Sequence, residues 1–146
     1  MKLNFFLLTF LCIDIASHEA PKNDEEKQSY VDNFIEIFDV RSQYINTYLD
    51  DFAVPAFRYS IKNNGTETIS SLWVKVYFLD KNGDPFYEND YIPISKNTFS
   101  GMKLLKPNYT YRMETNKYNT VKEIDNKEWS KKIEIEVIVD KLEFLE

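Results

Sequence analysis

Few side chains in this chain can do chemistry alone. His18 is the single histidine and Cys12 the single cysteine in 146 residues. A Ser–His–Asp or Cys–His relay needs a base that titrates near neutrality, and both residues lie at the extreme N-terminus. Structural zinc takes four ligands, typically Cys or His, and catalytic zinc commonly three from the protein; neither set can be assembled. Cleavage after Ser17 would leave His18 at the new N-terminus, where amine and imidazole can chelate copper. The second histidine of an oxidative copper brace is absent. No catalytic residue, metal site or cofactor is therefore expected.

Oxygen ligands and carboxylate pairs need separate weighing. Asp80, Asn82 and Asp84 have the D-x-N-x-D spacing that begins a calcium loop. Pro85 and Tyr91 stand where an EF-hand needs glycine and a bidentate glutamate. The segment reads as a hairpin turn, with a weak surface calcium site as the other reading. Asp50-Asp51, Glu88/Asp90 and Glu134/Glu136 are the visible carboxylate pairs. Glycoside hydrolysis needs such a pair at roughly 5 or 8 Å, one member with a raised pKa. Glu134 and Glu136 alternate with apolar residues, the pattern of a solvent face.

Aromatic residues are 16% of the chain, with ten Tyr and eleven Phe. Trp73, Tyr77 and Tyr87 are expected together on the non-core face of one hairpin, where they could stack on sugars or anchor a protein partner. The plainer reading buries aromatics in both sheets and covers the outer face with Tyr. Asn64-Gly65-Thr66 and Asn108-Tyr109-Thr110 match the glycosylation sequon, which matters only in a eukaryotic secretory pathway.

Several elements must position these residues. Lys2 precedes an apolar run, Leu3 to Ile13 (LNFFLLTFLCI), which Asp14 ends. A membrane span needs about twenty residues, so residues 1–17 are expected to be a signal peptide cut after Ser17. An uncleaved anchor at residues 3–13 is the alternative. Lipidation of Cys12 would want a small preceding residue, and Leu11 is not small. Cleavage removes the only cysteine, so the mature domain has no disulfide and must be held by its core. Residues 18–30 are expected as a polar linker, with a short solvated helix as the alternative. Residues 31–146 are expected as the folded domain.

Period-two alternation then dominates. Phe34 to Val40 suggests a first strand, and Phe57, Tyr59 and Ile61 alternate with Arg58, Ser60 and Lys62. Asn63-Asn64-Gly65-Thr66 is a turn signal. Ile69 to Asp80 is the longest strand candidate, with Leu72, Val74, Val76 and Phe78 on one face and Trp73, Lys75, Tyr77 and Leu79 on the other. Phe86-Tyr87-Glu88 and Tyr91 to Ile94 follow as short pieces. Tyr109, Tyr111 and Met113 alternate with Thr110, Arg112 and Glu114. Residues 115–130 read as a polar loop containing Trp129, and Lys132 to Phe144 as the last strand. Six or seven strands without a convincing amphipathic helix predict an all-β fold, an antiparallel immunoglobulin-like β-sandwich. A small barrel is the second choice.

Phe57 to Ile94, with the Asn63-Asn64-Gly65-Thr66 turn, the Leu72-Trp73-Val74-Lys75-Val76-Tyr77-Phe78-Leu79-Asp80 strand and the Lys81-Asn82-Gly83-Asp84 hairpin, resembles the FxLYD-type domains of bacterial exported proteins. Leu105-Lys106-Pro107-Asn108 followed by Tyr109-Thr110-Tyr111 resembles their Leu-x-Pro-Gly segment and the strand after it, with Asn108 in place of glycine. Val76, Phe78, Leu79 and Asp80 occupy the four defined places of the signature. The likeness spans about residues 53–145. It implies a small Ig-like β domain without known catalytic residues, a fold more than an activity.

Net charge is −6 and no Lys/Arg run stands out. Binding to phosphate backbones rests on clustered cations, so nucleic acid is not an expected partner. The expectation is a non-catalytic exported module of the bacterial envelope, periplasmic or secreted, whose partner is an envelope protein or glycan. Membrane contact is expected only through an uncleaved anchor. A carbohydrate-binding module and then a small hydrolase are the alternatives.

Overall fold

The computed structural model describes residues 19–46, 53–97, 103–113, 118–121, 124 and 134–146. The expected signal segment with Cys12 and His18, the Asp50-Asp51 pair and Trp129 lie outside the described residues.

The described chain opens with a helix, α1, at Asp24–Phe34. The Asn23 side chain caps it, accepting from the Glu26 N–H at 2.8 Å, and the Glu26 carboxylate reaches back to the Lys22 N–H at 2.8 Å. Asp24, Glu25 and Glu26 load the first turn with negative charge, which complements the helix dipole. Residues 24–30 therefore follow the alternative expectation, a short helix, in place of a linker, except that Tyr30 is buried.

Strands follow at Ile35–Ile45 (β1), Val54–Asn63 (β2), Ile69–Leu79 (β3), Pro85–Ile94 (β4), Thr110–Arg112 (β5), Asn119–Thr120 (β6) and Glu134–Phe144 (β7). All pairings among them are antiparallel. One sheet runs β1-β2-β5, with β6 also on β2; the other runs β4-β3-β7. Together they form a β-sandwich. Three local expectations change. Phe34 ends the helix instead of starting the first strand. The two short pieces after Pro85 are one strand, β4, which stays paired with β3 across two register shifts. Asn119–Thr120, expected in a loop, forms β6 against Ala56 and Phe57.

The core lies between the sheets. Phe57, Tyr59 and Ile61 of β2 face Leu72, Val74, Val76 and Phe78 of β3, all buried. The Phe57 and Phe78 rings meet edge to face at 5.7 Å, a favoured aromatic geometry. Leu105, Val121, Ile124 and Leu142 close the ends. Both inward sets match the alternation read from the sequence.

The β2–β3 connection crosses between sheets and is pinned by one buried side chain. Asn63 Nδ2 donates to the carbonyls of Glu67 (2.7 Å) and Leu105 (3.2 Å). Its Oδ1 accepts from the Gly65 N–H (3.0 Å) and the Tyr30 hydroxyl (3.0 Å). The Glu67 N–H in turn donates to the Tyr30 oxygen at 3.1 Å. Tyr30 lies so close to Gly65 that a Cβ there would enter its ring. A glycine is required at this position by space.

Candidate functional site

The outer face of the β4-β3-β7 sheet gathers the side chains that sequence reasoning singled out, with one exception. Trp73, Lys75 and Tyr77 alternate with the buried Leu72, Val74 and Val76, so all three point away from the core and are half-buried. Tyr87 does not join them. It pairs directly with Phe78, and directly opposed residues share a face of the sheet. Tyr87 therefore turns inward, its ring 5.6 Å from that of Phe78. The cause is a bulge. Leu79 pairs with Pro85 and Phe78 with Tyr87, which leaves Phe86 as an extra residue. One extra residue reverses the side to which every later residue of the strand points.

Around Trp73 and Tyr77 the face is charged. The Lys75 ammonium lies 3.2 Å from Glu88 Oε1 and 3.5 Å from Asp90 Oδ1. The hydrogen bond that Lys75 donates to Glu88, helped by both carboxylate charges, raises the Lys75 pKa. Lys141, paired with Trp73 across the ladder, holds its Nζ 4.9 Å from the indole centroid, a cation–π distance. Tyr77 is flanked by Glu88 of β4 and Glu136 of β7. Ile92 is 54% exposed, and Ile138, opposite Lys75, is 37% exposed. Sequence reasoning placed Lys75 on this face with Trp73 and Tyr77 but missed Ile92 and Lys141 as members of it. The alternation of each strand was a signal for their orientation, but not for which residues are neighbours.

Glu88 and Asp90, one of the candidate catalytic pairs, share the single Lys75 ammonium. The carboxylate shifts that stand out, at Glu26 and Asp80, both go downward under hydrogen bonds from backbone N–H groups. A general acid needs the reverse.

The Asp80–Asp84 segment is a turn that uses its own carboxylate. Asp80 Oδ1 accepts from the Asn82 and Asp84 N–H groups at 2.7 and 2.9 Å, and Asp80 Oδ2 from Asn82 Nδ2 at 3.2 Å. Gly83 takes a positive φ of 89°, and the Asp80 N–H donates to the Asp84 carbonyl at 2.8 Å. Among the described residues no cluster of three or more His, Cys, Asp or Glu side chains could hold a metal ion, and no helix is long and apolar enough to cross a membrane. No family model, curated protein or solved structure matches the chain.

Proposed function

We propose that the chain is a non-catalytic, exported interaction or structural module of the bacterial envelope, built as an immunoglobulin-like sandwich. The sheet orders β1-β2-β5 and β4-β3-β7 support the finer fold reading. On that reading they would be strands A-B-E and C′-C-F. Export is supported by the Lys2 and Leu3–Ile13 pattern alone.

The observation that carries the reading is the outer face of β4-β3-β7, which no described element covers. Trp73 and Tyr77, roughly 13 Å apart along one strand, are interleaved with Lys75 and bordered by Glu88, Asp90 and Glu136. Aromatic anchors inside a charged rim are the composition of a protein-binding surface. A protein partner fits better than a glycan, because the Lys141 ammonium already lies over the Trp73 ring on which a sugar would stack.

A photo-crosslinking residue in place of Tyr77, expressed in the native host, is the test. It should yield a discrete protein adduct that Trp73→Ala removes while the unfolding free energy changes by no more than about 1 kcal/mol. No adduct, together with a tryptophan fluorescence shift on adding envelope polysaccharide, would overturn the protein reading in favour of a glycan.

A further inference from the structure

Resting on the interaction-module reading above, we propose that the Ile135–Asp140 edge of β7, unpaired among the described residues, accepts an extended strand from the partner protein, apolar on one face and basic on the other.

The exposed edges of the two sheets are not equivalent. A bare edge presents unpaired N–H and C=O groups to any passing strand, and proteins blunt it with bulges and prolines. β1 is interrupted by a register shift between Phe38 and Arg41. There Asp39 takes a φ of 50°, and its carboxylate holds Arg41 at 2.7 Å and Arg58 at 3.3 Å. β4 carries Pro85 and Pro93 and two register shifts. β7 also pairs with β3 through two register shifts, but it runs in unbroken register from Ile135 to Val139 against Phe78 to Val74, contains no proline or glycine, and ends its sheet among the described residues.

Beside that edge the two sheets do not close. A groove of about 550 Å³ runs between β7, β1 and α1. Val31, Ile35, Ile37 and Val139 line it, half-buried and packed on the core. Asp32 and Asp140 also line it, and no Lys or Arg does. A strand added to β7 would satisfy its edge by main-chain hydrogen bonds, the mode of β-augmentation. Alternate side chains of that strand would fill the apolar groove. The others would face outward beside Glu136, where lysine or arginine complements it, while Asp32 and Asp140 add negative charge at the groove. A second copy of β7 is disfavoured, because two-fold antiparallel pairing brings both Glu136 side chains to one face.

The probe is a synthetic peptide of about seven residues alternating valine and lysine, matched with one alternating valine and glutamate, each titrated into the full chain while amide hydrogen exchange is followed by NMR. The lysine peptide should bind and slow exchange within Ile135–Asp140 by about tenfold or more. Glu136→Lys, an exposed substitution, should weaken that peptide by about tenfold and strengthen the glutamate peptide. Binding without β7 protection overturns the proposal. So does β7 protection that rises with protein concentration alone, which would mark a second copy as the occupant. If neither peptide binds while crosslinks from position 77 persist, the strand acceptor falls and the interaction module stands.

Discussion

Asn63 has no solvent exposure and yet makes four side-chain hydrogen bonds, two as donor and two as acceptor. These join α1, the β2–β3 crossover and the Leu105 segment. Replacing it with alanine removes one partner from each of four groups at once. Each group left buried and unpaired costs about 1–3 kcal/mol, and relaxation toward water recovers part of this. Asn63→Ala should therefore lower stability by about 3 kcal/mol in urea denaturation. A loss under ~1 kcal/mol would show that the Tyr30–Asn63 network is not what fastens the helix. At this scale the sequence was a fair guide to one property only. Asn63-Asn64-Gly65-Thr66 announced a turn, because those residue types tolerate turn geometry. That Asn63 is buried, and that Tyr30 makes Gly65 sterically necessary, depends on residues some thirty positions away.

The β3–β4 hairpin is organised by a single carboxylate. Backbone hydrogen bonds from Asp84 and then Asn82 hold the Asp80 pKa below the usual carboxylate range. A lowered folded-state pKa contributes stability that is present above the unfolded value and lost as pH falls through the folded one. The Asn82 and Asp84 amides should therefore lose protection from hydrogen exchange below about pH 4. Asp80→Asn should abolish that pH dependence locally; if it persisted, another group would control the turn. The same hairpin shows why the aromatic face was only partly legible. Trp73 and Tyr77 were placed correctly because β3 alternates without interruption along Leu72–Leu79. Tyr87 was misplaced because Phe86 is a bulge residue, and no residue type in Pro85-Phe86-Tyr87 marks one. Helix α1 had a local signal in Asn23 and Glu26, three residues apart, a capping box. Its polar composition hid it, since only Tyr30 of the helix is buried.

Across the whole molecule, several phenols lie between or beside the two sheets. Burial pushes the Tyr59 pKa strongly upward, with the nearby Tyr111 and Tyr91 adding to it. Tyr30, Tyr44 and Tyr111 are raised as well, desolvation being the main cause. A raised folded-state pKa gives stability that is complete below the unfolded value, about 10 for tyrosine, and that disappears as pH rises through the folded values. The fold should hold to about pH 10 and then open cooperatively, with late tyrosinate absorbance appearing together with loss of the near-UV signal. Full tyrosinate formation with the near-UV signal intact would contradict the burial of Tyr59 and Tyr111 between the sheets. A core closed by aromatic contacts such as Phe57 to Phe78 and Phe57 to Tyr91 (5.1 Å) makes both sheets parties to that transition.

The sequence by itself determined the β class, the inward faces of β2 and β3, the hairpin at Asp80–Asp84 and the outward direction of Trp73 and Tyr77. Each of these follows from alternation or turn chemistry within a few residues. Tertiary structure alone decided the inward turn of Tyr87, the helix held down by Tyr30, the Lys75 bridge to Glu88 and Asp90, and the apolar groove beside β7. These depend on register and on which strand lies beside which, and pairing between distant segments leaves no mark in the local pattern of either one.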